Sequence, residues 1–180
     1  MERPEGLLYR EDFVTADEEA QLLSVLSSLE FRAVVMRGQA ARRTVRMFGL
    51  DYDYEHGELV PAEPLPASMA WLRDRCAEWM ERDPGDLVQI LVSRYPEGAG
   101  IGWHRDAPMF GSKIAGVSLL APCRMRFQRT VKGLRSVAEL ELAPRSAYLL
   151  TGKARWSWQH SIPATTALRY SVTFRTLRRG

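Results

Sequence analysis

The chain of 180 residues has two cysteines, three histidines and no long apolar run. Two cysteines as distant as Cys76 and Cys123 cannot frame a disulfide scaffold and read as buried, reduced thiols. Three histidines, His56, His104 and His160, are too few for a metal store but enough for a site that needs two. No stretch reaches the roughly 18 to 20 apolar residues that span a bilayer. Met1-Glu2-Arg3-Pro4-Glu5 is not followed by the apolar core of a signal peptide, so the expectation is a cytoplasmic protein that does not engage a membrane. Charge of one sign is also not in excess. Lys and Arg total 25 against 22 Asp and Glu, a net charge of +3, so an anionic partner has to be argued from where the charges sit.

Repeats, low-complexity tracts and Gly/Ser linkers are missing too, which leaves a single domain over residues 1–180. With 46% hydrophobic and 26% charged residues the chain can bury a core, and intrinsic disorder is excluded. Helical spacing runs from Thr15 to Leu29 through Ala20, Leu22, Leu23, Val25, Leu26 and Leu29, with Thr15 and Glu18 placed as a capping box. A second helix is expected from about Pro66 to Arg82, carried by Met69, Leu72, Cys76 and Trp79 and stopped by Asp83-Pro84-Gly85. From Leu87 the pattern becomes short strands: 87–94, 114–120, 125–130, 136–142, 146–150 and 168–177. Two helices followed by strands predict a mainly β, α+β fold: an antiparallel sandwich or barrel buttressed by the helices. Residues 31–66, rich in Arg and aromatics and broken by Gly38, Gly49 and Gly57, read as ribbons and loops lying over something.

The most informative stretch is Tyr95-Pro96-Glu97-Gly98-Ala99-Gly100-Ile101-Gly102-Trp103-His104-Arg105-Asp106. Residues two apart on a strand share a face, so His104 and Asp106 can address one metal ion. If His160 lies on a facing strand, two imidazoles and one carboxylate make the facial triad that holds non-haem Fe(II) and leaves positions open for a bidentate co-substrate and O₂. The plainer alternative is that His104 and Asp106 satisfy each other or the turn. His56, within Asp51-Tyr52-Asp53-Tyr54-Glu55-His56-Gly57, has no such company and reads as a solvated loop residue.

In Arg169-Tyr170-Ser171-Val172-Thr173-Phe174-Arg175, four polar side chains share one face of a strand whose other face, from Leu168 to Phe174, is apolar. Burying that polar face is costly unless an anion binds there. Two guanidiniums one strand-span apart suit a dicarboxylate such as 2-oxoglutarate.

These two segments, with Trp158-Gln159-His160-Ser161-Ile162-Pro163, resemble the AlkB family of Fe(II)- and 2-oxoglutarate-dependent dioxygenases. The family's motifs have the form Asn-x-Tyr, His-x-Asp, a distal His and Arg-x-Asn-x-Thr-x-Arg, and the resemblance covers most of the chain. It implies a double-stranded β-helix, or jelly roll, over residues 87–177 with two N-terminal helices. It implies His104, Asp106 and His160 as iron ligands, and Tyr95, Arg169, Ser171 and Arg175 as holders of 2-oxoglutarate, Arg169 at the distal carboxylate and Arg175 nearer the chelating one. It also implies a nucleotide-recognition lid over residues 31–66. Ser93 and Ser171 stand where Asn is usual, and Pro108 stands where members that repair methylated bases often carry an acidic base contact.

The implied activity is oxidative demethylation of N-alkylated bases in DNA or RNA, with release of formaldehyde, succinate and CO₂ and no catalytic residue beyond the metal ligands. Arg37, Arg42, Arg43 and Arg46, and a second run of Arg124, Arg126, Arg129, Lys132 and Arg135, can track phosphates. Arg43, Tyr52, Tyr54 and Trp103 are candidate contacts for a single-stranded or flipped nucleotide, although Trp103, Trp156 and Trp158 also suit a core. No protein partner is implied. The alternatives are the same chemistry on a protein side chain or small molecule, and a non-catalytic nucleic-acid-binding module on a degenerate jelly roll.

Overall fold

The computed structural model describes residues 3–36, 39–53 and 56–178. After a short strand β1 (Leu7–Arg10), the first helix, α1 (Ala16–Ser27), starts where its capping box predicts: the Thr15 hydroxyl accepts from the Glu18 N–H, and the Glu18 carboxylate accepts from the Thr15 N–H. Glu18 also takes a two-pronged hydrogen bond from Arg75 of α2 (Ala70–Met80), and Arg75 and Thr15 hold its carboxyl down to about 2. One side chain thus caps one helix and ties it to the next. Its stabilisation is fully present above the ordinary carboxyl value near 4.5 and is lost as pH falls toward 2. Glu18→Gln is expected to cost about 1 kcal/mol at neutral pH, since the pair is partly solvated. Urea titrations at pH 7 and pH 3 check this, because the gap between the two proteins should shrink at the lower pH.

The second helix begins one turn later than its sequence pattern suggests. A 3₁₀ turn at Ala67–Met69 precedes it, and Glu81 closes it at a left-handed φ of 53°. Residues 31–66 form β2 (Arg32–Met36), β3 (Gln39–Phe48), β4 (Leu50–Asp53) and β5 (Glu58–Pro61). Only β4 and β5 form a separate ribbon. β3 is paired to a core strand, so half of the segment expected to lie over the fold is built into it.

The remaining strands are β6 (Gln89–Tyr95), β7 (Ile101–His104), β8 (Phe110–Leu119), β9 (Cys123–Val131), β10 (Leu134–Leu142), β11 (Ala147–Leu150), β12 (Gln159–Ile162) and β13 (Arg169–Leu177). Apart from the β9–β10 hairpin, both strands of which lie in one sheet, they alternate between two antiparallel sheets. The major sheet has the order β1-β11-β8-β13-β6-β3-β2 and the minor one β10-β9-β12-β7. That alternation is the double-stranded β-helix. A helix missed from the sequence, α3 (Gly152–Trp156), sits between β11 and β12.

The sheet faces explain where the site lies. Tyr170, Val172 and Phe174 of β13 join Leu22, Leu26, Leu72 and Met80 in a core under the two helices. Adjacent residues on a strand face opposite ways, so Arg169, Ser171, Thr173 and Arg175 point between the sheets. There, Met125, Phe127, Leu142 and Ile162 make a second core at the closed side. β13 is a central strand rather than an edge, and both its faces are buried. Cys76 and Cys123 are buried free thiols, and burial pushes both upward, as their separation suggests. Among the described residues no helix is long and apolar enough to cross a membrane.

Candidate active site

Between the sheets lies a cavity of about 480 Å³ lined by His104, Asp106, His160, Tyr95, Arg169, Ser171 and Arg175. A larger, more open depression of about 890 Å³ near Glu81 and Trp156 holds none of them. It is therefore not the place where these groups could act together.

His104 ends β7 and stands directly across from His160 of β12 in the antiparallel register, with ring centroids 4.2 Å apart. The Gly-rich turn makes this approach available. Gly98 takes φ of +79°, and a Cβ on Gly100 would come within 2.5 Å of the Ile162 carbonyl. The Gly102 carbonyl lies 2.8 Å from His104 Nδ1, which leaves Nε2 for the cavity. Asp106 lies in the loop after β7 rather than on the strand. Its Oδ2 is nonetheless 3.7 Å from His160 Nε2, and its Oδ1 accepts from Arg175.

The fully buried Arg155 of α3 explains how a loop residue is held there. It donates to the carbonyls of Gly111 at 3.0 Å, Asp106 at 3.1 Å, Ala107 at 2.9 Å and Phe110 at 3.1 Å. Arg155→Met should lower stability by about 3 kcal/mol, because a charged donor is removed and the buried carbonyls it served are left unpaired. Fe(II) affinity should fall by about 10- to 100-fold as the loop loosens. Denaturant unfolding and an anaerobic metal titration measure the two effects.

The electrostatics favour ligating forms. Burial and the neighbouring His104 push His160 down to about 3, so it is neutral at ordinary pH. Burial alone would raise the Asp106 carboxyl, but Arg175 and the two imidazoles hold it well below the usual carboxylate range. Burial likewise lowers His104. Neutral imidazoles and an ionised carboxylate are the donor set that a divalent ion requires. Among the described residues no three such donors already stand around one point as a formed metal centre, and Asp106 divides its two oxygens between Arg175 and His160. The three nevertheless share one wall of the cavity and fit the set.

The opposite wall fits a dicarboxylate. Arg169 is fully buried. Its Nη2 donates to Ser118 Oγ at 2.8 Å and its plane lies 4.8 Å from the centre of the Tyr95 ring, while Nε and Nη1 have no hydrogen-bond partner. A buried guanidinium with two idle donors is expensive unless an anion completes it. Arg175, 9% exposed, reaches Gln89 Oε1 at 3.0 Å as well as Asp106. Ser171 lies between the two arginines on the same face, and Ser93 and Ser118 flank it on the neighbouring strands.

The expected substrate contacts divide. Arg43 is buried against the cavity, with Nη1 donating to Ser93 Oγ at 3.0 Å. Tyr52 lines the cavity and meets Phe110 edge-on at 5.9 Å. Tyr54 lies outside the described residues, as does Arg37. Trp103 borders the cavity, but its ring packs on Arg126 at 5.3 Å. Because Phe127 pairs with His160, Arg126 and this ring belong to the opposite face of the minor sheet. Trp158 is a core residue, whereas Trp156 is 38% exposed. His56 is exposed and paired with Asp53, as a loop residue would be. The second basic run is largely engaged. Arg124 and Arg126 face Glu139 at 3.6 and 3.4 Å, Arg129 packs on Trp158, and Arg135 donates to Gln128. Sequence reasoning missed Arg155 and the cavity-lining Tyr148, whose phenol burial pushes up.

The model of the 2OG-Fe(II) oxygenase superfamily matches residues 6–175. The chain is 32% identical over 181 residues to the Alkylated DNA repair protein ALKBH8 homolog of Arabidopsis thaliana, over 88% of this chain and 51% of that one. It is 28% identical over 167 residues to the tRNA (carboxymethyluridine(34)-5-O)-methyltransferase alkbh8 of Xenopus tropicalis, over 88% of this chain and 25% of that one. It therefore spans between a quarter and half of the length of these relatives. The solved structure of OsALKBH1 shares the fold, with a TM-score of 0.74 at 15% identity over 98% of each chain. The chain belongs to the 2OG-Fe(II) oxygenase superfamily, which uses Fe(II) and 2-oxoglutarate, and it is AlkB-like within it.

Proposed function

We propose that this oxygenase oxidatively removes alkyl groups, N-methyl groups foremost, from bases of DNA or RNA presented singly or flipped out of a stack. The observation that carries the catalytic half is the convergence of two neutral imidazoles, one carboxylate and a buried, incompletely paired guanidinium in one cavity. In this reading His104, Asp106 and His160 hold Fe(II), and Tyr95, Arg169, Ser171 and Arg175 hold 2-oxoglutarate. With O₂ as the oxidant, the bound pair would supply the chemistry that puts one oxygen atom into a methyl C–H as a hydroxyl and the other into succinate as 2-oxoglutarate loses CO₂, after which an N-hydroxymethyl group falls apart to formaldehyde without further catalysis.

The remaining work belongs to the chain. Arg155 fixes the loop that carries Asp106. The Arg169 guanidinium, seated on Tyr95, orients the far end of the co-substrate. The two apolar cores on either side of β13 keep bulk water from the reacting atoms. Support for a nucleic-acid substrate comes from the relatives, one named for DNA repair and one for tRNA modification. Tyr52 and Arg43 at the cavity add an aromatic and a cationic contact.

The test incubates the protein with Fe(II), ascorbate, 2-oxoglutarate and a panel of methylated DNA and RNA oligomers. Loss of a methyl mass with matching formaldehyde is the expected result. Succinate formation with no change in any oligomer would sink the base substrate and leave the oxygenase standing.

A further inference from the structure

The charges around the cavity do not balance. Its lining contains four guanidiniums, Arg43, Arg105, Arg169 and Arg175, and one carboxylate, Asp106. Fe(II) and the 2-oxoglutarate dianion would add charges that cancel, so the surplus persists in the assembled site. Arg169 and Arg175 are accounted for by the co-substrate and Asp106, and Arg105 is exposed and reaches the Trp156 carbonyl. Arg43 is different. It is 4% exposed, and its guanidinium makes a 3.0 Å hydrogen bond to the neutral Ser93 Oγ, with no carboxylate at ion-pair distance among the described residues. It lines the same cavity as His104, Asp106 and His160, which places the charge beside the reacting centre. A buried cation without a counter-charge is costly, and a ligand that brings one gains correspondingly.

We propose that Arg43 receives an oxyanion of the substrate nucleotide, and that, where this oxyanion belongs to the base, the site prefers that base over a cationic alkylated one. This rests on the oxygenase reading of the cavity and adds a rule about charge to it. Pro108 is consistent with the rule, since it lines the same cavity and offers no carboxylate to a cationic base. The oxyanion has two sources in a nucleotide, a carboxylate on the base or the phosphate that precedes it.

The experiment uses the full chain loaded anaerobically with 2-oxoglutarate and Mn(II) as a redox-silent ion, with binding read by calorimetry. The probes are three trinucleotides whose central base carries a 5-carboxylate on uracil, the methyl ester of that group, or 3-methylcytosine. A fourth probe is the ester with its 5′ phosphodiester replaced by methylphosphonate. For a carboxylate source, the acid should bind about 10- to 100-fold more tightly than the ester and the cation most weakly, the worth of one or two charge-assisted hydrogen bonds. For a phosphate source, acid and ester should bind alike and methylphosphonate should cost that factor. In either case Arg43→Gln, which removes the charge and keeps a polar side chain, should erase the difference, and Arg43→Lys should restore part of it. The proposal is overturned if wild type shows neither preference, or if Arg43→Gln changes neither. It is also overturned if Arg43→Gln weakens 2-oxoglutarate itself, which would assign the guanidinium to the co-substrate. Failure of wild type to bind 2-oxoglutarate and metal at all would instead remove the oxygenase reading.

Discussion

Arg169→Met should weaken 2-oxoglutarate binding by about 10²- to 10⁴-fold while leaving the ligand-free protein as stable as wild type or more so. The first half follows from the loss of two charge-assisted hydrogen bonds, each about 1.5–3 kcal/mol, at roughly 1.4 kcal/mol per tenfold. The second half follows from the idle Nε and Nη1 of a guanidinium that is fully buried. Removing a buried charge and filling its space with an apolar chain is often neutral or stabilising. The bonds lost are one to Ser118 and the contact with the Tyr95 ring. Calorimetric titration with 2-oxoglutarate and thermal unfolding without it give the two numbers. A guanidinium held only for structure would show the reverse pattern, with a lower melting temperature and unchanged affinity.

His104→Ala should abolish turnover and lower Fe(II) affinity by more than the 10- to 100-fold that loss of an outer partner of a metal ligand typically costs. His104 is the cleanest of the three donors to remove. Its Nδ1 pairs with a backbone carbonyl, whereas Asp106 neutralises Arg175, so removing Asp106 would strand a buried charge and confuse a folding defect with a metal defect. Single-turnover succinate formation and an anaerobic Fe(II) titration, with circular dichroism to show the fold intact, measure the effect. Unchanged turnover would remove His104 from the metal.

The parts of this fold legible in the sequence are those set by neighbours in the chain. Thr15 and Glu18 are three residues apart, so their capping box could be read directly and is formed. The strict alternation of β13 likewise revealed two buried faces, one greasy and one polar. The parts that were not legible depend on partners far along the chain. Arg155 sits in a helix of five residues, too short for a periodic pattern, and its carbonyl partners lie 44 to 49 residues away. β3 falls in the segment that reads as ribbons and loops lying over the fold, because that segment is rich in arginine and aromatics and broken by glycines. It can be a sheet strand because Arg43 turns inward to Ser93 and Arg46 pairs with Glu63 and covers Phe48. Trp103, next to His104, suggested a stacking platform in the site. Strand alternation and Arg126 place its ring on the other face. The chemistry of the site was readable as residue types. That His160 stands directly across from His104 was a condition only the register of β12 and β7 could meet.

The most direct measurement is an anaerobic titration of the metal-free protein with Fe(II) in the presence of 2-oxoglutarate, following the visible charge-transfer absorption of the chelate. A band that saturates at one Fe(II) per chain, and is lost in both His104→Ala and Arg169→Met at co-substrate levels that saturate wild type, is the predicted result. Absence of the band in wild type, or its persistence in His104→Ala, would contradict the assignment of this cavity as the oxygenase centre.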